Sequence, residues 1–123
     1  MRISLAPLAF LTLTGIACGD SSSSPSTNLC AGSGASSTVS AADDYTFTPA
    51  SVTIAAGQSV CWQNTGNLDH TVTTTTESPG QIPLFNGSLP GGQTVVIPIN
   101  IAGTWAYHCN RHPNMTGTVI VTP

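Results

Sequence analysis

From Asp43 onward, large apolar residues fall on alternate positions: Tyr45 and Phe47, Val52 and Ile54, Val60 and Trp62, then Val95, Ile97 and Ile99, Trp105 and Tyr107, and Val119 and Val121. A period of two puts such residues on one face of an extended chain, so each group predicts a strand with one side buried. Turn-forming clusters separate the groups, at Thr48-Pro49, Ala56-Gly57, Thr65-Gly66-Asn67, Ser78-Pro79-Gly80, Pro90-Gly91-Gly92 and Ala102-Gly103. This spacing predicts an all-β, antiparallel sandwich of seven or eight strands, and no stretch of helical period competes with it. Threonines such as Thr71, Thr73, Thr75 and Thr118 take outward positions, where β-branched hydroxylated side chains suit a solvated strand face.

The pattern changes upstream. Arg2 followed by Leu5, Leu8, Ala9, Phe10, Leu11, Leu13 and Ile16 reads as a signal peptide over 1–17, with an apolar run shorter than the roughly 20 residues a spanning helix needs. Gly15-Ile16-Ala17-Cys18 resembles a bacterial lipoprotein box, which makes Cys18 the lipidation candidate and the membrane a matter of that anchor only. Ordinary cleavage at the same small residues is the alternative. Residues 18–42, rich in Ser, Gly, Ala and Thr, offer little apolar surface and predict a disordered linker. The compact domain is then 43–123, close to the lower limit for a self-sufficient core.

Charge excludes one class of partner outright. The 123 residues carry two cationic and five anionic side chains, a net charge of −3. Once Arg2 leaves with the signal, Arg111 is the one remaining cation, so no row of phosphates can be neutralised and nucleic acid is ruled out. The chain is expected to be an exported monomer of the periplasm or cell envelope.

Chemistry concentrates near the C-terminus, where Cys109, His112 and Met115 recur every third residue after the Trp105–Tyr107 strand. A short loop can turn all three toward one point. His70, starting a strand after the Asn64–Asp69 turn, supplies a second imidazole. Two imidazoles, a thiolate and a weak thioether are the donor set of copper electron-transfer sites, since soft sulfur suits Cu(I) and nitrogen suits Cu(II). His108, in the outward phase, is read as a structural residue.

At these residues the chain resembles the cupredoxins of the plastocyanin and azurin superfamily. The Cys-x-x-His-x-x-Met interval is most similar to that of amicyanin-type members, and Gly57-Gln58-Ser59-Val60-Cys61-Trp62-Gln63-Asn64 resembles the family's Gly-x-x-Val-x-Trp-x-Asn strand. The resemblance implies a Greek-key sandwich holding one type 1 copper ion on His70, Cys109, His112 and Met115. It also implies a one-electron carrier working between donor and acceptor proteins, with His112 near the surface as the electron port. Two departures stand out: Thr71 where many members have the asparagine that ties the ligand loops together, and Asp69 where proline is common. Asp69 would bring negative charge toward the metal, with Arg111 as its counterweight.

Four cysteines allow three pairings. With Cys18 at the lipidation site and Cys109 among the ligands, Cys30 and Cys61 remain; Cys61 lies in the outward phase of its strand and is free to bridge to Cys30 in an oxidising compartment. Two unpaired thiols are the alternative. Other functions fit less well. A copper enzyme with a second metal centre needs more than three histidines, and no Gly-x-Ser-x-Gly elbow is present for hydrolysis. A copper-storage or zinc-stabilised binding module would use the same pocket, but zinc gains little from the thioether of Met115.

Overall fold

The structure, a computed structural model, describes residues 28–76 and 80–123. The apolar segment 1–17, Cys18 and the rest of the chain before Asn28 lie outside the described residues, as do Ser78 and Pro79 of one expected turn. Among the described residues nine strands follow one another: β1 (Ser37–Ala41), β2 (Phe47–Thr48), β3 (Ser51–Ala55), β4 (Ser59–Asn64), β5 (His70–Thr74), β6 (Asn86–Leu89), β7 (Thr94–Pro98), β8 (Gly103–His108) and β9 (Thr116–Thr122). They form two sheets, ordered β2-β1-β4-β7 and β3-β9-β8-β5-β6.

The alternating residues meet where the two sheets face each other. Val52, Ile54, Val60, Trp62, Tyr107, Val119 and Val121 are all buried in one cluster, with Val95, Ile97 and Trp105 half-buried around it. Register keeps the phases matched, pairing Val60 with Ile97 and Trp62 with Val95 in one sheet and Trp105 with Val119 in the other. Tyr107 packs edge-on against Phe47 at 4.9 Å and Trp62 at 5.4 Å between ring centroids, so three strands share one aromatic centre.

Several features depart from the sequence pattern. Residues 37–41 were expected in the linker, yet β1 lies beside β4 inside the sheet, with Val39 and Ala41 fully buried. Two small inward side chains suffice because the neighbouring strands supply the bulk; composition alone reads such a segment as too polar to fold. The ordered domain therefore starts well before Asp43. Ahead of β1, Cys30 is joined to Cys61 on the outer face of β4, at a Cα–Cα distance of 6.0 Å, and both sulfurs are buried. The sheets are also mixed rather than purely antiparallel: β1 runs parallel to β4 and β3 parallel to β9. Turn signals mark where the chain reverses, but they do not say beside which strand it returns.

β6 escaped the pattern because its inward position before Leu89 is Gly87, where a Cβ would stand 3.1 Å from Val72 and 3.2 Å from Ile97. Tyr45, expected inside a strand, sits instead in the β1–β2 turn, half exposed and with φ of 64°.

Candidate metal centre

β5 starts at His70 and β8 ends at His108, and these strands are antiparallel neighbours with Thr73 opposite His108. The first residue of one and the residue just past the other therefore arrive at the same end of the sandwich. Beyond β8 the chain makes two successive tight turns: His112 N–H donates to the Cys109 carbonyl (3.3 Å) and Met115 N–H to the His112 carbonyl (2.8 Å). The Cys109 N–H closes the loop on the Met115 carbonyl at 3.0 Å. Spacing by threes has its physical reason here, since each turn brings the next donor residue back to the same side.

The donor atoms converge. Nδ1 of His70 lies 3.2 Å from Nδ1 of His112, and Sγ of Cys109 lies 3.9 Å from the first and 3.6 Å from the second. Metal bonds of roughly 2.0–2.3 Å to nitrogen and sulfur let a single ion span a triangle of that size. Cys109 and His70 are buried, as is Met115 at the closing turn, whereas His112 is only half-buried and reaches the surface. Among the described residues this is the one group of three or more metal-capable side chains gathered so closely.

Charge and hydrogen bonding prepare these donors. Burial is the main cause that holds His70 below the ordinary histidine pKa, and the neighbouring His112 adds to it; Asp43, the Ala42 carbonyl and Asp69 pull the other way. The result favours the neutral imidazole, the form that binds a metal. Although the Ala42 carbonyl acts on the ring, Nε2 of His70 makes no well-formed hydrogen bond. The backbone N–H of Thr71 donates to Cys109 Sγ at 3.3 Å, which stabilises negative charge on the sulfur.

One buried and one half-buried imidazole, a buried thiol and a methionine at the adjoining turn form the donor set that suits copper. The sequence profile of copper-binding proteins of the plastocyanin/azurin family matches residues 33–122. The chain belongs to this family. Amicyanin-alpha of Methylorubrum extorquens is 35% identical over 75 residues, which are 61% of this chain and 63% of that protein. Amicyanin of Paracoccus versutus is 36% identical over 70 residues, 57% of this chain and 53% of the relative. The matches thus span less than two thirds of either relative's length. In fold the chain is similar to a purple cupredoxin of Nitrosopumilus maritimus, with a TM-score of 0.62 at 23% identity, over 70% of this chain and 99% of that one.

Thr71 takes up the tie between ligand loops in this cupredoxin. Its hydroxyl accepts from the Asn110 backbone N–H at 2.8 Å, next to Cys109, and lies 3.3 Å from the Thr73 hydroxyl. Thr73 donates to Asn86 Oδ1 (2.9 Å) and accepts from Asn110 Nδ2 (3.1 Å), which leaves Thr71 as the donor in the threonine pair. His108 stays outside the donor cluster, bonded to Thr75 and Asn110 at 3.0 Å each.

The anionic influence on the site comes more from Asp43 than from Asp69. Asp69 is exposed and accepts from the Gly91 N–H at 3.2 Å, and its pull on His70 is the weakest of those acting there. Asp43 accepts from the backbone N–H groups of Asn67 and Leu68 at 2.9–3.0 Å, and these bonds hold its carboxyl below the usual carboxylate range. Gly66 runs so close to that carboxylate that any Cβ would collide with it. From the other side, fully buried Asn64 donates to the carbonyls of Leu68 (2.6 Å) and Leu89 (3.0 Å) and accepts from the Gly66 N–H (2.9 Å). The loop entering His70 is thus held by two polar side chains. Sequence reading gave Asp43 no such role, because its partners stand more than twenty positions away; Asn64 was visible only as a motif residue.

Proposed function

We propose that this protein is a type 1 copper electron carrier, in which His70, Cys109, His112 and, as a weaker thioether donor, Met115 would hold the metal. The observation that carries the reading is the compact Nδ1–Nδ1–Sγ triangle closed by the Cys109–Met115 hydrogen bond. Bound copper supplies a one-electron change between Cu(II) and Cu(I). The chain's own residues keep the donors still while that happens: the ligand loop is bonded to itself and to Thr71 and Thr73 of β5, so little has to move as charge arrives.

Half-buried His112 is the point nearest to solvent and serves as the port for electron exchange with donor and acceptor proteins. A carrier, rather than an enzyme, fits a centre whose four donor positions come wholly from the chain. Export to the cell envelope, with Cys18 as the lipid attachment point and the following Ser-rich stretch as a tether, completes the proposal; its support is the apolar leader and the lipoprotein-like box.

The test is spectroscopic. Protein loaded with one equivalent of copper(II) is expected to show the intense visible thiolate-to-copper band, and Cys109→Ser is expected to abolish it. Colourless protein that takes zinc stoichiometrically in preference to copper would replace the carrier with a zinc-stabilised binding module.

A further inference from the structure

Among the described residues, Tyr45 is the one non-glycine residue with a positive φ, at 64°. A bulky aromatic rarely adopts that conformation, and it persists where the surroundings over-determine it, often at functional sites. The turn itself is well bonded: Tyr45 N–H donates to the Ala42 carbonyl (3.1 Å) and Ala42 N–H to the Thr46 carbonyl (3.3 Å). Glycine would fit the same backbone without strain, and asparagine would tolerate it better than tyrosine does. Core burial does not explain the choice, because Tyr45 is 50% exposed.

What the side chain does contact is a ligand. The Tyr45 ring lies 4.6 Å from the His112 ring between centroids, tilted by 50°, and borders the shallow surface hollow shared with His112, Pro113 and Met115. Two residues earlier in the same turn, Asp43 fastens the 66–68 backbone that leads into His70. One turn therefore bears on the approaches to both imidazoles. Since Asp43 anchors it to the rest of the site, the Tyr45 ring is presented to His112 from a fixed support.

We propose that Tyr45 is a positioning residue for His112, holding the imidazole so that its Nδ1 faces Cys109 and His70 before metal binds and in both oxidation states. The redox part of this inference rests on the copper-carrier reading; the orienting contact does not. A ring contact of this kind shifts a side-chain rotamer equilibrium by about two- to tenfold.

The experiment compares the exported chain with Tyr45→Phe, Tyr45→Asn and Tyr45→Gly, metal-free and copper-loaded. NMR of the metal-free forms reads the His112 rotamer populations. Tyr45→Phe is expected to match the parent, while Tyr45→Asn and Tyr45→Gly raise the minor His112 rotamer about two- to tenfold without lowering the melting temperature, since both relieve the backbone. In the copper-loaded forms, the same two variants are expected to slow electron self-exchange and shift the visible band. Unchanged His112 rotamers in both the Asn and the Gly variant would overturn the proposal, as would a Phe variant that behaves like the Gly variant. Absence of the visible band from the parent would remove the copper reading instead, and the metal-free NMR would still decide the Tyr45 contact.

Discussion

Thr71→Val removes one hydroxyl while keeping the size and β-branching that β5 favours. The substitution deletes the acceptor for the Asn110 N–H at 2.8 Å and the donor to Thr73 at 3.3 Å. Each such bond contributes about 0.5–1.5 kcal/mol net, and partial exposure lets water replace some of it, so the expected loss is about 1.5 kcal/mol. For a domain of this size that corresponds to roughly 6–12 °C in melting temperature. Copper and its colour are expected to survive, because all four donor positions and the Thr71 N–H to Cys109 Sγ remain. Electron self-exchange is expected to slow, since the segment after Cys109 loses its tie to β5. Urea unfolding of the metal-free protein, with Thr71→Ser as the hydroxyl-bearing control, measures the first effect, and NMR line broadening of mixed oxidation states measures the second. A valine variant as stable as the serine variant and equally fast would refute the idea that the hydroxyl couples the two ligand segments.

Three further outcomes follow from the core and the site. Burial pushes the Tyr107 phenol up to about 12, against an opposing pull from the Trp62 side chain, and its hydroxyl has no well-formed hydrogen bond. The fold accommodates the neutral phenol, so stability is whole below pH 10 and falls by up to about 3 kcal/mol as pH rises toward 12. Urea midpoints at pH 8 and 11.5 should show a smaller alkaline loss for Tyr107→Phe, and equal losses would contradict this. Replacing Cys30 and Cys61 by alanine opens a loop with a sequence separation of 31 and should cost about 3–4 kcal/mol in the chain-entropy view, read from denaturant unfolding. Met115→Leu should keep copper but raise the reduction potential, because losing the thioether donor disfavours Cu(II); voltammetry showing a fall would count against Met115 as a ligand.

Strand phase was plain in the chain itself. Val60, Trp62, Tyr107, Val119 and Val121 point inward in the structure as their alternation requires, because solvent exclusion acts on each strand locally. The ligand triplet was equally plain, since turns of fixed span convert a spacing of three into a common direction. By contrast, β1 hid behind serines and threonines, β6 hid behind the inward Gly87, and Tyr45 looked like a strand residue until its turn demanded a left-handed backbone.

Residue order alone determined which donors exist, that they are two imidazoles, a thiol and a thioether, and that Cys109, His112 and Met115 share one loop. Only the tertiary structure decided that His70 joins them, because the antiparallel pairing of β5 with β8 brings residues 39 positions apart into contact. It likewise decided that Thr71 ties the ligand segments, that Asp43 outweighs Asp69, and that Tyr45 lies against His112. These contacts depend on which strands lie side by side and at what register, and local periodicity carries no record of either.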